Sequence, residues 1–158
     1  MRLGATSDTD DRTGEISEHR GMPVLPADLG AALGRFRGEI RQVPPMYSAK
    51  KVGGRKLYEH ARAGRTVERK AATVTVHALS LSDDQPKEFP MRFRMRVTCS
   101  SGTYIRALAR DIGEALGVGG YLEELRRTRI GPYRVEDAAG PKEITKEDWK
   151  SRLLPAGQ

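Results

Sequence analysis

The chain has 158 residues, 37% of them hydrophobic, which is enough for one domain to bury a core. No apolar run is long enough for a transmembrane helix, and Met1-Arg2-Leu3 is not followed by the apolar stretch of a signal peptide. The single cysteine, Cys99, excludes an internal disulfide, and no Cys or His pair has the spacing of a zinc site. We expect a cytoplasmic protein of one domain without membrane or metal, in which Cys99 packs as a small buried side chain.

Positive charge is concentrated in one segment. Lys and Arg exceed Asp and Glu by seven in the whole chain, and the segment from Arg41 to Lys70 alone holds nine basic and two acidic residues. A second excess, of four charges, runs from Arg92 to Arg129. Such clustering is typical of proteins that bind a polyphosphate such as RNA, with a merely solvated basic face as the alternative.

The first predicted elements are short. The polar turn from Thr6 to Gly14 is typical of a link between two strands, and its first strand looks missing. Asp28 is predicted to cap a short helix that ends at Gly38. The prolines within Gln42–Tyr47 predict extended chain, and a second helix is predicted over Lys56–Ala63.

Two predicted strands follow. The segment Thr73–Leu81 is rich in β-branched residues, and its alternation slips near His77-Ala78, as a bulge would cause. The segment Met91–Cys99 alternates more regularly, so that apolar side chains share one face. The other face carries Arg92, Arg94, Arg96 and Thr98.

The link after the second strand has the features of a binding turn. Gly102 permits a tight turn, and Thr103 is predicted to cap a helix whose apolar stripe ends at Gly117. This places Tyr104 and Arg106 in the first helical turn. Because the helix dipole disfavours an arginine there, we expect Arg106 to have a carboxylate or phosphate partner, and a purely structural salt bridge is the alternative.

Further short helices are predicted at Leu122–Arg127 and from Thr145 to Asp148. Strands and helices are mixed and joined by short links. The expected fold is therefore α/β of the α+β kind, an antiparallel-rich mixed sheet with helices packed on it.

Four motifs in order resemble bacterial TruB-type tRNA pseudouridine synthases. They are Gln42–Val52, Tyr58–Gly64, Gly102–Arg106 and Leu125–Gly131, and the turn Arg2–Gly14 also resembles the family. Each motif alone is weak, but the ordered set is specific. The resemblance implies a pseudouridine synthase-like fold that converts uridine 55 of the tRNA T-arm to pseudouridine, with the T-arm stem-loop as partner and no cofactor.

The resemblance also indicates what these residues lack. The family's nucleophile is an aspartate in a Gly-x-Leu-Asp-x-x-Ala-x-Gly motif upstream of the Arg-Leu-Gly that here begins at Arg2. No such motif occurs in the sequence, and Asp8, Asp10 and Asp11 lack its Leu-Asp context. We therefore expect residues 1–158 to be the truncated C-terminal portion of one catalytic domain, inactive alone and without a C-terminal RNA-binding appendage.

Matching positions imply roles for the remaining residues. Arg106 matches the partner of the missing aspartate, while Tyr104 and Leu125 match residues that border the flipped uridine, with a core tyrosine and a helix-core leucine as the alternatives. The basic segment 41–70, and within it 47–65, matches an insertion that closes on RNA. Tyr47 and Tyr58 are expected to stack on exposed bases, with local packing as the alternative. The other RNA contacts expected are Lys50, Lys51, Arg55, Lys56, Arg126, Arg127 and Arg129.

Two classes of function stay open. The first is a TruB-type synthase that needs additional sequence for activity, and the second is a non-catalytic RNA-binding protein derived from that fold. A subunit that receives its carboxylate from a separate polypeptide is a third possibility. The reading frame upstream of Met1 would discriminate among them.

Overall fold

The computed structural model of the chain describes residues 1–19, 26–82, 92–146 and 149–151. All named strand pairs in this part of the chain are antiparallel, which confirms the predicted antiparallel-rich α+β fold. Its helices are α1 (Pro26–Gly34), α2 (Leu57–Arg62) and α3 (Ile105–Ala115). Its strands are β1 (Arg2–Leu3), β2 (Ala5–Ser7), β3 (Ile16–Glu18), β4 (Gly38–Gln42), β5 (Lys51–Val52), β6 (Arg55–Lys56), β7 (Ala72–Leu81), β8 (Met95–Cys99), β9 (Gly120–Tyr121), β10 (Arg129–Ile130) and β11 (Tyr133–Arg134).

The main sheet has the order β4-β7-β8. The bulge predicted in β7 is present, since the register to β8 shifts between Val76 and Ala78. On β8, Met95 and Val97 pack toward the core, whereas Arg96 and Thr98 are exposed, as the alternation predicts. Cys99 is only half-buried, although it does pack against the core.

Helix α3 supplies much of the core. Its stripe Leu108, Ala109 and Ile112 is fully buried, and burying a leucine or isoleucine side chain contributes about 1.5–3 kcal/mol. The helix also lies against β9 so closely that a Cβ on Gly113 would collide with the backbone of Gly120. This contact fixes the position of α3, and with it the arginines on its first turns.

The link from Thr6 to Gly14 has both of its strands within the chain. The strand that looked missing is β2, which pairs with β3 through Ala5–Glu18, Thr6–Ser17 and Ser7–Ile16. That expectation was wrong because a strand of three residues leaves almost no periodic signal.

Other predicted boundaries also move. Helix α1 begins at Pro26, so Asp28 lies in its first turn rather than at its cap. It ends at Gly34, and Gly38 opens β4 instead. Strand β8 starts only at Met95, after an isolated bridge between Arg92 and Arg2.

The predicted helix Leu122–Arg127 is absent. Leu122 instead pairs with the β2–β3 turn, because its N–H donates to the Asp10 carbonyl and its carbonyl accepts a hydrogen bond from the N–H of Arg12, which forms an isolated bridge between Leu122 and Asp11. The last predicted helix, from Thr145 to Asp148, lies partly outside the described residues.

The chain divides into two compact units, Met1–Glu124 and Leu125–Gln158. The first contains the core, and the second contains the β10–β11 hairpin. Assignment of both to one domain stays a prediction. No helix in the described ranges has the length and apolar character needed to cross a membrane.

Candidate active site

The turn between β2 and β3 is tied together by its own side chains. The Asp11 carboxylate accepts hydrogen bonds from the Thr13 N–H (2.8 Å) and hydroxyl and from the Thr9 hydroxyl. Asp8 accepts one from the Glu15 N–H at 2.8 Å. Asp10 has a φ of 61°, a left-handed conformation that aspartate tolerates better than most residues. The turn therefore presents two adjacent carboxylates in fixed directions.

The start of α3 is held from another direction. Gly102 has a φ of 82°, and the helix begins after Tyr104, which is its N-cap residue. The buried Gln42 side chain accepts a hydrogen bond from the Tyr104 N–H (2.8 Å) and donates one to the Tyr104 carbonyl (3.1 Å). Thr103 is not the cap, contrary to the prediction, since its hydroxyl donates to the Ser100 carbonyl at 2.9 Å. Gln42, from a distant strand, instead bonds both backbone groups of the N-cap residue.

Arg106 lies where three segments meet. Its guanidinium donates to the Asp11 carboxylate at 3.4 Å, to the Thr9 carbonyl at 3.3 Å and to the Tyr47 carbonyl at 2.8 Å. The Arg106 side chain is about one quarter exposed, at 26%. A carboxylate partner therefore exists within the chain, and it comes from the turn rather than from a neighbouring helical residue. This pair fits the alternative of a purely structural salt bridge, so a binding role of Arg106 stays a prediction.

The local field keeps Asp11 ionised at neutral pH. Burial acts to raise the pKa of the Asp11 carboxyl, but hydrogen bonds from Thr13 and Thr9 and the charge of Arg106 outweigh it, so the pKa lies below its ordinary value. The stabilisation from this ionised carboxylate is present at neutral pH. It is lost as the pH falls through the lowered pKa.

A second arginine lies one helical turn further along α3. Arg110 donates to Asp10 at 2.8 Å, to Asp111 at 2.8 and 2.9 Å, and to the Val43 carbonyl at 3.0 Å. Burial raises the pKa of the Asp10 carboxyl, and the Arg110 guanidinium opposes that shift only in part. Arg106 and Arg110 thus form parallel ion pairs with neighbouring residues of the same turn.

The basic insertion, residues 47–65, contains a small hairpin and a helix. Strands β5 and β6 pair around the exposed glycines Gly53 and Gly54, and α2 follows with Leu57 fully buried as its anchor. Within the described residues, no carboxylate pairs with any of the cations Lys50, Lys51, Arg55, Lys56, Arg62 and Arg65. These charges are therefore available to an external anion.

Two cations lie near the Tyr58 ring. The Lys56 ammonium lies 5.5 Å and the Arg62 guanidinium 5.4 Å from its ring centroid, distances at which a cation attracts an aromatic ring. The Lys56 ammonium also lies 3.4 Å from the Tyr58 hydroxyl. Tyr58 and Tyr47 are half-buried, so part of each side chain faces solvent. Their stacking on bases stays a prediction.

The second unit carries the remaining predicted contacts. Leu125 is 58% exposed and lies outside any helix, which contradicts its alternative interpretation as a helix-core leucine. Arg126, Arg127 and Arg129 are also exposed. Beside them, the β10–β11 hairpin exposes the large side chains of Ile130 and Tyr133.

Sequence reasoning missed part of the site. The motifs indicated Asp10 and Asp11 only as candidate nucleophiles and not as partners of α3. Gln42 had no role beyond its place in a motif, and Arg110 was not singled out. The spacing of Arg106 and Arg110 by four residues was the available signal, because such residues share one helix face. Among the described residues no group of His, Cys, Asp or Glu could hold a metal ion.

Two family models match the chain. The model of the TruB family pseudouridylate synthase N-terminal domain matches residues 1–105, and that of the tRNA pseudouridylate synthase B C-terminal domain matches residues 106–153. Together they cover nearly the whole chain, with all the motifs singled out from the sequence.

Named relatives agree with these models. A Cupriavidus metallidurans (strain CH34) protein named tRNA pseudouridine synthase B is 52% identical over 153 residues, which cover 96% of this chain and 48% of the relative. A protein of the same name from Ralstonia pickettii (strain 12J) is 49% identical over 156 residues, covering 98% and 49% of the two chains. The chain spans about half the length of the curated relatives it matches.

A solved structure shares the fold. A chain in the crystal structure of a Cbf5-Nop10-Gar1 complex superimposes with a TM-score of 0.55 and 32% sequence identity. The match covers 73% of this chain and 29% of that one.

Proposed function

The chain belongs to the TruB family of pseudouridylate synthases, and we propose that it forms part of a cytoplasmic tRNA pseudouridine synthase acting on uridine 55 of the T-arm. In this proposal the chain contributes the arginine side of the active site and an RNA-binding surface. The nucleophilic aspartate is supplied by sequence outside these 158 residues.

The position of Arg106 is the observation that carries the proposal. Its three hydrogen bonds engage at most three of the five N–H donors of the guanidinium, so at least two have no acceptor among the described residues. An arginine already aimed by Asp11, and still partly exposed, can bind a second carboxylate. That contact would keep the nucleophile ionised and oriented toward the base.

The surroundings of Arg106 suit a flipped nucleotide. Tyr104 lies two residues before Arg106 and is half-buried, and the basic insertion begins at Tyr47, whose carbonyl accepts a hydrogen bond from Arg106. Extracting a uridine from its stack costs a few kcal/mol, which contacts to the base and the phosphates must offset. We assign base contact to Tyr104 and Leu125, and phosphate contact to Lys50, Lys51, Arg55, Lys56, Arg126, Arg127 and Arg129, with Tyr47 on an exposed base.

Pseudouridine formation by a chimera tests the proposal. The chain is joined to the portion of the Cupriavidus relative outside the matched segment, and pseudouridine is measured by mass spectrometry on an unmodified T-arm stem-loop. We expect turnover by the chimera and none by the chain alone. A matched chimera with its Leu-Asp aspartate replaced by asparagine is the control and should be inactive.

Two outcomes would contradict the proposal. Turnover by the pure 158-residue chain would show that its nucleophile lies within the chain. A folded chimera that binds the stem-loop without converting it would favour the alternative, a non-catalytic RNA-binding protein with the same fold.

A further inference from the structure

The two arginines of α3 hold the same pair of segments. Arg106 bonds to the turn at Thr9 and Asp11 and to the Tyr47 carbonyl. Arg110, one turn later, bonds to the same turn at Asp10 and to the Val43 carbonyl. Each arginine therefore joins α3 both to the β2–β3 turn and to the extended segment 43–47.

The Arg110–Asp10 pair is the more enclosed of the two. The Arg110 and Asp10 side chains are 18% and 11% exposed, against 26% and 22% for Arg106 and Asp11, and the N···O distance is 2.8 Å rather than 3.4 Å. A short ion pair that is shielded from water fixes the positions of its two side chains more firmly than a longer and more exposed pair. It leaves Arg110 little access to an external ligand.

The segment 43–47 needs such external anchors. Pro44 and Pro45 have no N–H to donate, so the segment cannot be fixed by a regular strand ladder. Its carbonyls are instead held by arginines, Val43 by Arg110, Pro44 by Arg69 at 2.9 Å, and Tyr47 by Arg106. Substitution of Arg110 would therefore remove one anchor of the segment 43–47 and one anchor of the β2–β3 turn.

We propose that Arg110 is a positioning residue. Through its pair with Asp10 it fixes the β2–β3 turn and the segment 43–47, and these in turn hold Arg106 and Asp11 in place. Arg110 acts through Arg106 and Asp11 and does not itself contact the uridine. This role in turnover presupposes the proposed pseudouridine synthase activity, whereas its effect on the Asp11 environment does not.

The first experiment needs no turnover. The titration of Asp11 is followed by carboxyl-detected NMR in the 158-residue chain with Arg110→Gln and, as a control with the same charge change, Arg35→Gln at an exposed position. We expect the pKa of Asp11 to rise toward its ordinary value in Arg110→Gln only. If Arg110→Gln does not fold, Arg110→Lys gives the measurement, since lysine keeps the charge but cannot bond Asp10 and the Val43 carbonyl together as a guanidinium does.

The second experiment measures turnover in the chimera. We expect Arg110→Gln to lower kcat about 10- to 100-fold with KM within about 2-fold, because a small misplacement of a catalytic group has effects of this size. Asp10→Asn keeps a side chain that tolerates the left-handed conformation and should give a similar loss. The double variant should be no worse than Arg110→Gln alone, since both changes break one interaction.

The outcomes separate the two proposals. An inactive chimera contradicts the proposed function but leaves the NMR result to decide on Arg110. An unchanged Asp11 titration in folded Arg110 variants, or losses that match Arg35→Gln, would overturn the positioning role.

Discussion

The basic residues of the α3 region and those of the basic insertion have different surroundings. In the α3 region, Arg106 and Arg110 are partly buried and bonded to the carboxylates of Asp11 and Asp10 and to backbone carbonyls. In the basic insertion, Lys51 and Arg55 are exposed, and the part of the chain that the structure describes offers them no carboxylate. The first region is neutralised from within, whereas the second presents its charge to solvent.

The comparison shows that the number of cations does not define an RNA-binding surface. Burial and internal partners convert an arginine into a positioning group, because its charge is already balanced and its geometry fixed. Exposure without a partner leaves the charge free to release counterions from a phosphate backbone. RNA binding by the basic insertion should therefore depend on salt concentration, whereas point substitutions in the α3 region should affect turnover.

The largest expected effect is that of salt on RNA binding. If the basic insertion and its neighbours contact about six or more phosphates, the affinity for a T-arm stem-loop should fall by about 10³ between 50 and 200 mM salt. Binding is measured by fluorescence anisotropy with the 158-residue chain. A flat response would show that the exposed cations are merely solvated.

Substitution of Arg106 is the next largest effect and should leave binding nearly intact. In the chimera, Arg106→Ala should lower turnover by about 10²–10³, the size seen when one preorganised charged contact is removed from an active site. Stem-loop affinity should change less than about 5-fold. Equal losses of turnover and binding would show that Arg106 is a phosphate contact like the cations of the insertion.

Much of this contrast was predictable from sequence. Clustered charge from Arg41 to Lys70 predicted the exposed surface, and the apolar stripe of α3 placed Arg106 at the start of a helix, where an arginine needs an anion. The alternation of residues and its slip near His77 also predicted β7 and its bulge. These features are local, so a window of ten residues contains the whole signal.

The rest depends on contacts between distant residues. Arg110 reaches Asp10 across 100 positions, and Gln42 bonds the backbone of the N-cap residue of α3, 62 positions away. Nothing in the local pattern of Leu122 indicated that its backbone would pair with the turn at Asp10 and Arg12 instead of beginning a helix. Tertiary hydrogen bonds override local propensity at these positions, and they are the positions that form the site.

A smaller effect is expected from single cations of the insertion. Lys51→Ala and Arg55→Ala should each weaken stem-loop binding by about 5- to 10-fold at 50 mM salt and reduce the slope of log affinity against log salt by about one. Neither should change the thermal stability of the chain, because neither has an ion pair among the described residues. Arg96→Ala on the exposed face of β8 is the matched control, and an equal loss there would indicate nonspecific charge attraction.

The smallest effect compares two glycines with positive φ. Gly102, before α3, has a φ of 82°, and Gly53, in the insertion hairpin, has a φ of 58°; a Cβ would meet no atom within 4 Å at either position. Each alanine substitution therefore adds only backbone strain, about 1–2 kcal/mol for a left-handed residue.

Because α3 belongs to the core, Gly102→Ala should lower the free energy of global unfolding by about that amount in urea titrations. Gly53→Ala should lower it less, since a hairpin with few buried contacts can open locally before the core unfolds. Equal losses of unfolding free energy would show that the insertion unfolds together with the core. The proposed difference in stability between the α3 region and the insertion would then be wrong.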